Sequence, residues 1–431
     1  MPPPTPATPN FLKALGPGIL FAGAAIGVSH LVQSTRAGAV YGLSLVLLVV
    51  LAHLMKLPAM LFGPRYAAAT GRSLLHAYRA QGPATLGAFA AIQVGTMFTI
   101  QAAVTAVTAA LVKPLVVDPL LARAGIAESG APLWVVAAGI LLVCIGLLAC
   151  GGFKWLDRVV KALMLVMAVS TVFAAAMQVP NLDLGATPVW PTQWNLALLV
   201  FAVALVGWMP APLDITVWHS LWSLARNRQT GHAASKRECE LDFYIGFALC
   251  VVLALAFVVL GAALLYGTGV EPAAGAGGFA NQLIGLYTDS LGQWSRPLIA
   301  TCAIAVMFST TITVLDAIPR TMSALFGEFR GVEPKGNRGY WVWLAVLAAG
   351  AIVILAVFLR SLSDMVDLAT TLSFLGTPAI AYFNHRAMTS TAVPAEHKPA
   401  RWLIVLSWAG IAFWTAFALV FMATWFIRAG A

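Results

Sequence analysis

Charge is the scarcest property of this chain: only 10% of its 431 residues are Asp, Glu, Lys or Arg, against about a quarter in an ordinary soluble domain. With 60% of the residues apolar, no polar shell can be assembled around a core of that size, which excludes a soluble globular fold. The net charge of +9 is scattered over short segments without a continuous basic face, so the chain is not a nucleic-acid binder. Five cysteines, an odd number with no CxxC spacing, provide neither a disulfide framework nor a cysteine metal cluster. There is no HExxH, no GxSxG and no phosphate-cradling lysine loop, so nothing points to an enzyme or to a cofactor. No loop is long enough to hold its own core, which leaves a single membrane domain over 1–431.

What is present in abundance is apolar sequence in runs long enough to cross a hydrocarbon layer of about 30 Å as a helix. Eleven such spans are expected, at 16–35, 39–63, 87–112, 132–150, 159–177, 195–220, 243–267, 297–318, 341–358, 366–383 and 402–426. Lipid leaves no water for unpaired backbone groups, so each must be helical, and the fold class is an all-α polytopic membrane protein. Counting Lys and Arg between the spans puts nineteen of the 25 on one side, which makes that side cytoplasmic, with the N-terminus in and the C-terminus out. A bacterial inner membrane fits this pattern. The Pro-rich stretch Pro2 to Pro9 lacks the basic start of a secretory signal and reads as a cytoplasmic tail over 1–15. Between 271 and 296, the apolar set Phe279, Leu283, Ile284, Leu286 and Tyr287 predicts a short amphipathic helix on the outer surface.

Two spans are interrupted by sequence that a membrane helix tolerates badly. In the first, a small and polar patch, Gly27-Val28-Ser29-His30, falls near mid-membrane. In the sixth, Gly207-Trp208-Met209-Pro210-Ala211-Pro212-Leu213-Asp214 contains two prolines that remove backbone donors. The breaks lie five spans apart, and an odd number of spans per repeat inverts the second copy. The expectation is therefore a LeuT-type inverted repeat, 16–178 and 195–384, with an additional helix at 402–427 and a site where the breaks meet. The partners this implies are membrane lipid and a small transported solute or cation, carried by a monomer or loose oligomer.

Ionisable groups inside a bilayer are functional candidates by default. His30 can ligate a cation, bind a polar solute or take up a proton, or simply be held by a backbone carbonyl. Asp214 can hold a cation or proton, or serve as the N-cap of the second half of its span. Met209 offers a thioether, a soft metal ligand. Gly27, Ser29, Trp208 and Ala211 complete the expected solute site, and His30, Met209 and Asp214 are its expected metal ligands. Candidates for coupling or gating are His53, Gln93, Thr310, Thr311 and the i, i+4 pair Asp316 and Arg320. Lys56, one turn from His53, is read as snorkelling toward the cytoplasm. Thr96, Thr99 and Gln101 in the third span, and Ser309 and Thr313 in the eighth, line a cavity or act as packing glue.

Several stretches resemble the Nramp (natural resistance-associated macrophage protein) family of proton-coupled divalent-metal transporters. They are Gly16-Pro17-Gly18, Ala37-Gly38 with Tyr41-Gly42, the run from Ala67 to Leu74, Met209-Pro210, and Ser309-Thr310-Thr311-Ile312-Thr313. The resemblance implies broken helices 1 and 6, eleven or twelve spans, and metal as cargo. It departs at the metal ligands, because Gly27-Val28-Ser29-His30 stands where the family has Asp-Pro-Gly-Asn, and Met209-Pro210-Ala211 where it has Met-Pro-His. Only Met209 carries over as a ligand. Atypical divalent transport, of Mg²⁺ or Mn²⁺, is one reading; an ion-coupled carrier of a small organic solute such as an amino acid is the other.

Overall fold

A computed structural model describes residues 11–124, 131–182, 188–269, 273, 276–332, 336–358 and 361–429. The first ten positions of the expected tail lie outside the described residues, as do Glu271, Lys335 and Arg360, and the side chains of Lys154, Arg158, Lys161 and Arg428 are likewise not described.

Every regular element among the described residues is helical. The chain opens with α1 (Phe11–Ala14), α2 (Pro17–Ala25), a wider π-helical turn (Ser29–Ser34) and α3 (Thr35–Tyr41). There follow α4 (Val46–Thr70), α5 (Leu74–Gln81), α6 (Pro83–Val112), α7 (Asp118–Arg123) and α8 (Leu133–Gln178). The second half runs through α9 (Leu196–Gly207), α10 (Ile215–Thr230), α11 (Lys236–Leu264), α12 (Ala276–Leu291) and α13 (Arg296–Arg330). It ends with α14 (Arg338–Phe358), α15 (Leu362–Thr389) and α16 (Arg401–Ala429).

Among the described residues, seven helices are long and apolar enough to cross a membrane, and an eighth span forms if the bent pair Pro17–Ala25 and Ser29–Tyr41 is counted as one. The expected eleven is not reached by that measure, for physical reasons. The fourth and fifth spans are joined in the single 46-residue helix α8, whose second apolar part is short. The sixth is split between α9 and α10, and the tenth, α15, carries Asp364, Asp367, His385 and Arg386. The helix expected in the long connection forms as α12, and its apolar residues Leu283, Ile284, Leu286 and Tyr287 are buried against the bundle.

The first span is clamped to α11 by two glycine crossings. A Cβ on Gly18 would sit 2.0 Å from the Asp242 carbonyl oxygen, and one on Gly246 would sit 2.1 Å from that of Gly18. Further along, a Cβ on Gly38 would meet the Val258 carbonyl at 2.1 Å and one on Gly261 the Thr35 carbonyl at 2.2 Å. Small residues let the backbones touch where lipid supplies no hydrophobic drive for association. At the start of α2 the Asp242 carboxylate accepts hydrogen bonds from the Gly16 and Gly18 amides, at 2.9 and 2.6 Å, satisfying donors that a helix start leaves free. The break in the first span is thus suspended between two fixed ends.

Candidate functional site at the two helix breaks

The first break forms where α2 ends at Ala25 and the chain turns by 47° into the Ser29–Tyr41 segment. The Gly27 amide bonds the Ala25 carbonyl at 2.9 Å, leaving the Gly23 carbonyl without its helical donor. Thr310 of α13 supplies one: its Oγ1 lies 3.0 Å from that oxygen. Gly27 is needed there, because a Cβ would lie 2.9 Å from the Thr310 side chain.

The second break follows Gly207. Helical pairing would have the Val206 carbonyl accept from residue 210 and the Trp208 carbonyl from residue 212, but both are prolines and have no N–H. The Met209-Pro210 peptide is cis. The chain resumes as α10 after Asp214, whose side chain makes no cap hydrogen bond to it.

These two openings, far apart in sequence, touch. Ser29 Oγ lies 3.3 Å from the Pro210 carbonyl oxygen and 2.8 Å from that of Ala25. Between them is a cavity of about 20 Å³, room for one water or one bare ion, lined by Ser29, Trp208, Ala211 and Thr310 among mainly apolar neighbours.

Of the expected site residues, Ser29, Trp208 and Ala211 line this cavity, Gly27, His30 and Asp214 are buried around it, and Met209 packs instead in the apolar cluster with Val206, Ala254 and Trp414. His30 Nε2 lies 3.0 Å from the Cys250 carbonyl oxygen, and Nδ1 lies 2.7 Å from Ser29 Oγ and 3.1 Å from the Ala25 carbonyl. A carbonyl only accepts, so Nε2 carries a proton and donates to Cys250, and a metal at His30 would first have to displace one of these contacts. Asp214 Oδ2 accepts from Gln93 Nε2 at 3.4 Å, while Asp214 Oδ1 and Gln93 Oε1 are buried with no partner. Among the described residues no three His, Cys, Asp or Glu side chains converge as a metal cage.

The remaining candidates sit around this core. His53 Nδ1 lies 2.8 Å from the Val49 carbonyl, its ring edge-on to Phe247, and its Nε2 is buried without a partner. Thr311 pairs with Thr108 of α6 at 2.7 Å. Asp316 and Arg320 are set apart from the breaks: Arg320 Nε donates to Asp316 at 2.6 Å, Tyr340 of α14 donates to the same carboxylate at 2.8 Å, and the guanidinium lies over the Tyr340 ring.

Two features were missed from the sequence. Lys56 does not snorkel: it is fully buried, and its Nζ donates to the carbonyls of Val206, Gly207 and Ala211 at 2.8, 2.8 and 3.1 Å. A lysine in mid-span was the available signal. The second is a vestibule of about 480 Å³ bounded by the π-turn, α3, α9, α12 and α15. In its wall Arg36 donates twice to Asp367, at 2.8 and 3.2 Å, and Gln33 adds a third hydrogen bond at 2.8 Å. Those three residues stand near span ends, where sequence alone does not separate a gate from a solvated charge.

The family model for natural resistance-associated macrophage protein-like sequences matches residues 18–424. An uncharacterized protein of Pasteurella multocida, PM0681, is 33% identical over 417 residues, covering 95% of this chain and 92% of that protein. Among solved structures, a manganese transporter of Eremococcus coleocola, in complex with an aromatic bis-isothiourea-substituted compound, superposes with a TM-score of 0.70 at 15% identity, over 96% of this chain and 88% of that one. MhsT in complex with L-phenylalanine superposes with a TM-score of 0.61 at 16% identity, over 94% of this chain and 97% of that one. At such identities the two structures speak for the fold alone.

Proposed function

Since the chain belongs to the Nramp family and is an integral membrane transporter, we propose that it is a secondary active carrier of a metal cation, working by alternating access about its two helix breaks. One observation carries the reading: the breaks meet at Ser29 and Pro210, and beside them Asp214 and Gln93 each hold a buried oxygen with no donor. A cation that has shed part of its water is the partner such oxygens lack. The Eremococcus protein that shares this fold is a manganese transporter, the kind of cargo this reading gives the present chain. In this reading 16–178 and 195–384 are the inverted repeats that rock against each other, with the N-terminus cytoplasmic, the C-terminus outside and the vestibule opening outward.

A second reading, transport of a small organic solute, is favoured by His30 and Lys56, whose polar atoms are already engaged with backbone carbonyls. Uptake into proteoliposomes separates the two. Mn²⁺ or Mg²⁺ entry that responds to an imposed proton gradient, and is lost in Asp214→Asn, supports the metal reading. Entry of amino acids in the absence of any metal flux would replace it with the second.

A further inference from the structure

Wherever a helix is opened inside a membrane, its last carbonyls form a site of negative potential that calls for donors or a cation. At the end of α9 the Val206 carbonyl accepts from the Met209 amide at 3.2 Å, but its i+4 donor is missing because residue 210 is a proline, so a second acceptor position stays open. We propose that Lys56 is a resident cation: its ammonium, tethered on α4, fills the cation seat formed by the Val206, Gly207 and Ala211 carbonyls, and free cations are excluded from that seat.

Three acceptors at 2.8, 2.8 and 3.1 Å require three donors on one nitrogen, and of the two forms of lysine only the ammonium has three. The charge is not solvated elsewhere, since the residue is fully buried. Trp414 of α16 closes the seat from the other side, its ring centre 5.2 Å from Nζ, close enough for a cation–π contact. The helix beyond the two repeats thus has a task, covering the ammonium where the sixth span opens. Asp214 stands on the same break, three residues beyond Ala211, and makes no direct ion pair with the ammonium, so the carbonyls and the Trp414 ring are its immediate partners. A tethered ammonium also outcompetes a free ion of similar affinity, because its effective concentration at the carbonyls is set by the fold. Any transported cation must then be held on the Asp214 and Gln93 side of the break. The inference does not require the cargo to be a metal.

Melting temperatures of the purified full-length protein test it, read with methylammonium and, at equal ionic strength, with tetramethylammonium, which carries the charge but has no N–H to donate. Lys56→Ala is expected to melt lower than the parent and to recover on adding methylammonium but not tetramethylammonium, while the parent responds to neither. A Lys56→Ala protein that melts with the parent, or that methylammonium leaves unmoved, overturns the proposal. Should Lys56→Ala not fold, Lys56→Arg and Lys56→Gln decide: Arg is expected to melt near the parent and Gln well below, and equal melting of all three overturns it. A protein that carries no metal leaves these melting results unchanged, so this inference and the proposed cargo fail separately.

Discussion

Arg36 grips Asp367 through two N–H···O contacts, 2.8 and 3.2 Å long, and so ties the second half of the first span to the start of α15 in the wall of the vestibule. The geometry is the bidentate fork in which arginine binds a carboxylate best. Both side chains retain some solvent, 20% and 30% exposed, so the pair contributes on the order of 1 kcal/mol rather than the larger value of a dry one. That is a suitable strength for a contact that forms and breaks in a cycle. Arg36→Lys, which loses the fork, and Asp367→Asn, which loses the charge, are each expected to change uptake rate severalfold while shifting the melting temperature little. Initial rates in proteoliposomes set beside thermal melts check this, and a large melting loss with unaltered rates would assign the pair to the scaffold.

A stability test falls on Gly246. Its absent Cβ would lie 2.1 Å from the Gly18 carbonyl oxygen, a backbone atom that cannot swing aside. Gly246→Ala must push α11 off α2 and disturb the nearby Asp242 cap, with an expected cost of about 1–3 kcal/mol from overpacking. Gly139 serves as a control, because a Cβ there meets nothing within 4 Å, and Gly139→Ala should leave the melting temperature unchanged or slightly raised. Thermal melting of the two variants side by side decides it.

Those glycines also explain what was legible in the sequence. The family resemblance runs through Gly16-Pro17-Gly18 and Ala37-Gly38, the segments that pack on Gly246 and Gly261 of α11, so it reports how helices cross. The breaks were readable because Gly27, Pro210 and Pro212 each act on the backbone locally, through a missing Cβ or a missing N–H. The seat of Lys56 was not, because it is made of carbonyl oxygens, and every residue type has one. Nor did the sequence show that His30 has both ring nitrogens engaged, since its partner Cys250 contributes a backbone atom rather than its thiol. A count by length and composition alone falls short of the expected eleven for a similar reason: α8 runs helically through the polar residues between its two apolar parts, so two expected spans share one helix.

Thr310 offers a test of the first break that does not depend on the cargo. Its hydroxyl lies 3.0 Å from the Gly23 carbonyl, an acceptor orphaned by the turn at Gly27, and 3.1 Å from the Val306 carbonyl of its own helix, so its one proton is shared between them. Thr310→Val keeps the shape and removes the donor, so a buried carbonyl goes unmet at a cost of about 1–3 kcal/mol. Thr310→Ser restores the donor and should recover most of that loss. Melting temperatures in the order parent, Ser, Val are expected; Val melting with the parent would show that Gly23 finds another donor.

The decisive substitution for transport is at Asp214. Its Oδ1 and the Oε1 of Gln93 are two buried oxygens without a partner beside the junction, and of the two groups only the carboxylate brings a formal charge. Asp214→Asn preserves size and leaves a carbonyl oxygen to face Gln93, so folding should be nearly intact, while the attraction for a cation falls. Uptake of a divalent metal is expected to drop at least about tenfold, the equivalent of about 1.4 kcal/mol lost at the site. Gln93→Glu tests the same logic in reverse, adding a second charge to the pocket and raising affinity for the divalent ion over a monovalent one. The two variants move a metal carrier in opposite directions, whereas a carrier of neutral organic solutes has no reason to respond to the sign of the change. Competition between Mn²⁺ and a monovalent ion for entry, compared across parent and both variants, reads that difference directly.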